Sequence, residues 1–238
     1  MKNLFYILAL MAFFAACKKK TVPETHVVYG SEYYPNTLGN YVIYEVDSIV
    51  YDEFTSDTTH YKYLIKEKLE EEFTDPENKP ALKIARYIKK FNASKPYDSI
   101  AWTIKDIWQA NVNKTNVEVV EENVRFTKLI FPVKEGSTWD GNAKNSIGQW
   151  DYTYSYIDKS ETINSIPLQK TLLVTQKNFR TLISWQYYVE KYTAGVGLVY
   201  REIIDIKHPV TSTITPVNNI PQKTGLIYKS QVISYGHE

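Results

Sequence analysis

From Tyr41 onward, apolar and polar residues alternate with a period of two through most of this chain, and that restricts it to β-structure. Val42, Tyr44, Val46 and Val50 fall on one face of a predicted strand, with Glu45 and Asp47 on the other. Ile100, Trp102, Ile104 and Trp108 alternate in the same way against Thr103, Lys105 and Gln109. A helix would scatter such residues around its surface, whereas a strand sends alternate side chains to opposite faces. The 20 tyrosines favour the same element, because aromatic and branched side chains fill a half-buried pleated surface.

The alternation divides the chain into strands near 41–51, 60–71, 81–91, 99–109, 116–122, 124–131, 150–158, 168–179, 181–192, 198–206 and 225–235. Turn-forming clusters separate them, among them Asp75-Pro76-Glu77-Asn78, Asn92 to Pro96, Asp140-Gly141-Asn142 and Asn164-Ser165. Lys66 to Phe73 also admits a helical reading, but the flanking alternation at Tyr61, Tyr63 and Ile65 favours a strand. Strands joined in sequence order by short turns pair antiparallel, since parallel pairing needs crossovers of about a dozen residues. Long strands in one open sheet would expose damaging edges. The expected fold is therefore all-β: a single antiparallel, strongly curved meander sheet, an open half-barrel or barrel-like. Only 9 glycines in 238 residues argue against a small barrel with sharp glycine corners. His208 to Thr224, rich in Thr, Pro and Asn, reads as one long loop.

Ahead of this domain, Lys2 precedes the uncharged run Leu4 to Phe14. That run is too short to span a bilayer, which takes about 20 residues, but it suits a secretory signal. Ala15 and Ala16 then supply small residues before Cys17, the only cysteine. Phe14-Ala15-Ala16-Cys17 resembles the lipobox of bacterial lipoproteins, with phenylalanine where leucine is usual. The resemblance implies a diacylglyceryl-modified thiol, cleavage before Cys17 and a mature chain anchored by acyl chains of the palmitate type. The expected organisation is 1–16 signal peptide, 17–37 lipidated cysteine and tether, and 38–238 a single β-rich domain. Lys18-Lys19-Lys20 is either a solvated tether or a membrane contact, where each lysine adds about 1 kcal/mol near anionic headgroups. By the same resemblance, basic residues directly after Cys17 imply an outer-membrane anchor with the domain facing the periplasm; surface exposure is the alternative.

Tyr34 to Tyr51, reading YPNTLGNYVIYEVDSIVY, looks like the opening of uncharacterised lipid-anchored outer-membrane lipoproteins of Bacteroidota type. Phe131 to Trp139 and Gly195 to Tyr200 also resemble recurrent elements of such chains. None is a catalytic motif. The resemblance implies class and location and carries over no functional residue.

The chain has 28 Lys and Arg, one of them Lys2, against 27 Asp and Glu. That balance lacks the basic excess of a general nucleic-acid binder. Gly195-x-Gly197 has Tyr200 where a dinucleotide fingerprint needs its third glycine, and there is no P-loop, G-x-S-x-G or H-E-x-x-H. His26, His60, His208 and His237 are scattered, so no metal or cofactor is expected. Asp47, Asp52, Glu53 and Asp57 near His60 read as a solvated hairpin, and Glu67, Glu70, Glu71 and Glu72 as a wet face. Asp106, Asp140 and Asp151 neighbour tryptophans, as in sugar enzymes, but chance places some acids there.

Two aromatic stripes are the candidate surfaces. Trp150, Tyr152, Tyr154 and Tyr156 put four rings on one strand face, and Ile183, Trp185, Tyr187 and Val189 form the second. Each either packs across strands or presents a platform to a ligand. If both lined the inner face, they would enclose an aromatic cavity for an apolar ligand. The expected function is a lipid-anchored, non-enzymatic envelope protein binding a partner or ligand through its sheet. The alternatives are a half-barrel carrier of lipid-like molecules and a polysaccharide-active or carbohydrate-binding protein.

Overall fold

The computed structural model describes residues 29–55, 57–208 and 223–238. Cys17, the segment before it and the stretch 209–222 lie outside the described residues. Twelve strands follow one another: β1 (Asn40–Tyr51), β2 (Thr58–Thr74), β3 (Pro80–Lys90), β4 (Thr103–Val112), β5 (Asn116–Glu121), β6 (Val124–Ile130), β7 (Thr138–Asp140), β8 (Asp151–Ile163), β9 (Ile166–Arg180), β10 (Ser184–Thr193), β11 (Gly197–Lys207) and β12 (Thr224–His237). They form one sheet in the order β6-β5-β4-β3-β2-β1-β12-β11-β10-β9-β8-β7, with every pair antiparallel. The meander thus runs outward in both directions from the pairing of the first strand with the last. Lys66–Phe73 is strand, as the alternation required.

Turn chemistry follows the sequence closely. Glu122-Asn123 and Asn164-Ser165 each place both residues at positive φ, the two-residue turn whose twist matches the flanking strands. The Asp75 carboxylate accepts hydrogen bonds from the Glu77 and Lys79 amides, each at 2.9 Å. Asp52 does the same for Phe54 and Thr55 at 2.8 and 2.7 Å.

The sheet curls until its edges nearly meet. Thr127 N donates to Gly141 O at 2.8 Å, and Trp139 Nε1 donates to Thr127 O at 2.8 Å. The Tyr154 hydroxyl bonds both the amide and the carbonyl of Ile130, each at 2.8 Å. Closure removes the open edges that make a long meander prone to association. Gly141 is needed at this seam, because a Cβ there would sit 2.2 Å from the Tyr152 ring.

Bending comes from β-bulges rather than glycine corners. Ladder registers shift at Ile43/Tyr44, Leu69/Glu71, Arg86/Tyr87, Val117/Glu118, Ser155/Lys159 and Lys191/Tyr192, among others. An extra residue in one strand bends it and raises the local twist, so a glycine-poor chain still closes.

The larger core joins Leu69, Trp108, Val117, Leu129, Tyr152, Tyr154 and Tyr192, drawn from both halves of the sheet. A second cluster packs Val42, Tyr44, Val46, Ile65 and Val232 with Ile163 and Leu168 from the β8–β9 hairpin tip. Four expectations need correction. The tether does not reach residue 37: Tyr33 is fully buried in the larger core, and its hydroxyl donates to Asp158 at 2.7 Å. Strand β7 was not foreseen, since three residues carry no periodic signal. Residues 99–102 and 181–183 precede β4 and β10 rather than belonging to them, with residue 99 closing a short 3-10 helix (Tyr97–Ser99). The bulge opposite Arg86/Tyr87 splits the Ile104–Trp108 stripe, leaving Ile104 exposed while Trp108 is buried.

Candidate functional site

Residues directly opposite one another in a ladder share a face, so register assigns each side chain to the inside or the outside. Glu67 faces Arg86, Arg86 faces Asp106, and Glu190 faces Arg201. Arg86 donates to Glu67 and Asp106, each at 2.9 Å. Arg201 Nη2 lies 2.6 Å from Glu121 and 2.8 Å from Glu190, and Lys128 Nζ lies 2.9 Å from both acids. Strands β5 and β11 are six places apart in the sheet, so the Arg201–Glu121 pair spans the interior. Tyr192 completes the set, donating to Glu190 at 2.6 Å.

Burial pushes the Glu121 carboxyl up, but Arg201 and Lys128 outweigh it and hold it down at about 2. Burial likewise opposes the charge on Arg201, and Glu121 and Glu190 restore it. The Arg86 guanidinium lies 3.5 Å from the centre of the Trp108 ring. This interior is a packed ionic and aromatic core. Its cleft, bounded by Tyr34, Tyr44, Glu67, Leu69, Ile84 and Leu198, measures about 70 Å³. That holds roughly two waters at ~30 Å³ each, against the ~300–1,000 Å³ of a ligand pocket.

The first predicted stripe divides. Tyr152 and Tyr154 are buried, and Tyr154 stands opposite Val174 on the inner face. Trp150 is half-buried, with its ring edge-on to Tyr188 at 5.1 Å. Tyr156 is 64% exposed, at φ 54°, where the β8 register breaks. The second stripe lies on the outer face: Trp185 and Tyr187 alternate with inward-pointing Glu190 and stand opposite Ile206 and Ile204. The two stripes therefore do not enclose a common cavity, because one strand turns its rings inward and the other outward.

The outer face carries a trough instead. Lys191 stands opposite Tyr200, Tyr200 opposite Gln231, and Glu202 opposite Lys229. The bulged β8–β9 hairpin brings Glu161 and Asn164 beside Tyr187, Tyr200, Glu202 and Gln231, around a hollow of about 360 Å³. A second hollow of about 310 Å³, lined by Tyr156, Lys159 and Thr171, shares Glu161, Leu173 and Lys191 with the first. Three tyrosines thus line two adjoining hollows that form the trough, Tyr187 and Tyr200 in the first and Tyr156 in the second. Lys191 is paired with Glu161, and the Tyr200 hydroxyl donates to Glu202 at 3.2 Å, while Lys159 lines the second hollow. The Lys191 and Lys229 ammonium groups lie 5.3 and 5.8 Å from the Tyr200 ring. Burial raises the Tyr187 hydroxyl above its ordinary value, with Glu202 and Tyr156 adding to the shift.

The acidic groups have local partners. His60 Nε2 lies 2.6 Å from Asp47 in the exposed β1–β2 hairpin. The Asp140 carboxylate accepts from the Asn142 and Trp150 amides, and Asp151 accepts from Gln149. Glu67 is not on a wet face but is drawn inside by Arg86, while Glu70 accepts from Tyr87. Sequence reasoning named Tyr156 and Tyr187 but missed Tyr200, Lys191 and Gln231. It also missed the interior charges, whose signal was available: Glu67 has the parity of Ile65 and Leu69, and Arg201 that of Val199 and Ile203.

No protein-family model and no curated protein matches this chain. It is similar in structure to a chain described as exported, with a YmcC-like fold, from Bacteroides fragilis. That comparison has 11% identity, covers 85% of this chain and 97% of the other, and gives a TM-score of 0.44. A chain described as a lipoprotein, from Parabacteroides distasonis, aligns at 12% identity over 86% of this chain and 98% of its own, with a TM-score of 0.39.

Proposed function

We propose that this chain is a lipid-anchored, non-enzymatic lipoprotein of the bacterial outer membrane that binds a partner or ligand through the outer face of its sheet. The contrast between the two faces carries the reading. The interior is filled by aromatic rings and paired charges, while the outer face of β8–β12 opens into a trough lined mostly by half-buried or buried side chains, with Tyr156, Lys159 and Asn164 among the exposed ones. Anchoring rests on the lipobox resemblance at Phe14–Cys17. From Cys17 to Tyr29 the chain reaches at most about 40 Å at ~3.4 Å per residue. The barrel would therefore stay within that distance of the bilayer, facing the periplasm. The non-enzymatic reading is supported by the carboxylates near tryptophans: Asp106 is held by Arg86, Asp140 by a turn and Asp151 by Gln149.

Fractionation of cells carrying Cys17→Ser tests the anchor: the variant is expected in the soluble fraction without acyl label. A photo-crosslinking residue at Tyr187 tests the face, with adducts to an envelope component expected in intact cells. Unchanged membrane partitioning of the variant would remove the anchor. Absence of any adduct at Tyr187 would remove the binding face.

A further inference from the structure

The trough has a chemistry that narrows its ligand, and this narrowing rests on the binding reading above. Tyr156, Tyr187 and Tyr200 line two adjoining open hollows that share Glu161, Leu173 and Lys191, an elongated arrangement that suits an extended chain lying across both. Tyr156 is the most telling of the three. A bulky residue in the left-handed region is an outlier, because its Cβ crowds the following carbonyl oxygen. The Glu135 carboxylate holds it there, accepting from the Tyr156 and Ile157 amides at 3.2 and 3.3 Å. Strain of this kind persists where surroundings over-determine it, and it clusters at ligand clamps. Here it turns an aromatic ring out to solvent, 64% exposed, at the mouth of the trough.

The polar lining adds the second half of the argument. Gln231 and Asn164 carry amides with both donors and an acceptor, and Glu202 carries a planar acceptor. These groups can pair with neighbouring hydroxyls on a ring. The three lysines are offset by two acids: Lys191 is held by Glu161, Lys229 stands opposite Glu202, and Lys159 lines the second hollow across from Thr171. A lining of three lysines against two acids carries only a small net charge and attracts an anion weakly once screened, and a lining of Lys, Glu and Gln desolvates poorly against an acyl chain.

We infer that this trough binds an uncharged oligosaccharide strand, with the tyrosine rings against the C–H faces of the sugars and Gln231, Asn164 and Glu202 on their hydroxyls. The flat quadrupolar face of an aromatic ring suits the polarised C–H groups of a pyranose, and its hydroxyls match the amides and carboxylate between the rings.

Calorimetric titration of the full-length protein tests this, in a detergent without a sugar headgroup such as a dimethylamine oxide. The probes are cellohexaose, maltohexaose and chitohexaose, with polygalacturonate as the anionic counterpart. At least one neutral probe is expected to bind saturably and more tightly than polygalacturonate. Tyr156→Ala and Tyr187→Ala are each expected to weaken it about tenfold, a change of about 1.4 kcal/mol, while Phe54→Ala in the distant β1–β2 hairpin leaves it unchanged. Gln231→Ala probes the same site without removing a ring, should Tyr187→Ala fold poorly. Three results would overturn the inference: no saturable binding by any neutral probe, preference for the polyanion, or full affinity in the Tyr156→Ala/Tyr187→Ala double variant. If these appear while Tyr187 still cross-links to an envelope protein, the sugar reading fails and the binding reading stands.

Discussion

Strands β8 and β10 carry the same kind of sequence, aromatic residues at every second position, and the molecule uses them in opposite ways. On β8, Tyr152 and Tyr154 are driven into the core, where Tyr154 stitches the sheet's seam to Ile130. On β10, Trp185 and Tyr187 face outward, and the inward positions of the same strand hold Tyr188, Glu190 and Tyr192. The difference shows that a period-two stripe specifies a face but not which side of the sheet becomes the inside. Within β8 itself, the bulge after Ser155 reverses the outcome, so Tyr156 leaves the core that Tyr154 helps to build.

The largest effect should come from the inward stripe. Tyr154→Ala is expected to lose about 3–5 kcal/mol in urea unfolding, the range for deleting a large buried aromatic. The loss of both Ile130 hydrogen bonds adds about 1 kcal/mol each. A change below about 1 kcal/mol would erase the distinction between the stripes.

Next comes the ionic core that occupies the inward positions of β10 and β11. Arg201→Met should cost about 3–5 kcal/mol in the same assay, because it leaves Glu121 and Glu190 buried without a full complement of cations. Replacing one acid as well, with Glu121→Leu, should recover much of that loss, because Lys128 and Tyr192 still satisfy Glu190; no recovery would mean the charges are not the cause. The same core sets a pH dependence. Arg201 and Lys128 hold Glu121 near 2, below its unfolded value of about 4.3. Its stabilisation is therefore fully present above the unfolded value and is lost as pH falls from about 4.5 toward 2. Glu190 is lowered as well and acts in the same direction. Glu121→Gln should flatten the acid limb of stability against pH, and an unchanged limb would place the acid sensitivity elsewhere.

The smallest effects belong to the outward rings. Tyr187→Ala should cost about 1 kcal/mol or less, since its ring is only partly covered. Tyr156→Gly should be neutral or stabilise by up to about 1 kcal/mol, by relieving the left-handed backbone. A loss comparable to that of Tyr154→Ala would make all three β8 tyrosines structural and close the trough as a site.

Much of the architecture was legible. The antiparallel meander, the strand identity of Lys66–Phe73 and the Asn164-Ser165 turn follow from alternation and turn residues, which are local. The seam was not legible, because β7 is three residues long and meets β6 through isolated hydrogen bonds rather than a ladder with its own alternation. The candidate site was legible only in its rings. Tyr156 and Tyr187 could be named as aromatic positions, but their union with Tyr200, Gln231 and Glu161 requires a folded-back hairpin that no local pattern announces.

By itself the sequence determined the element type, the pairing sense and most strand positions, because side-chain alternation and turn geometry act over a few residues. The lipobox-like segment belongs to the same category, as a local pattern read before any folding. Only the tertiary structure decided which face of each strand became the interior, where bulges reversed that choice, and that Glu67, Arg86, Glu121, Lys128, Glu190 and Arg201 would be buried together. The physical reason is that burial is a property of closure: a charge can lie inside a curled sheet only when an opposite charge from a distant strand arrives to meet it.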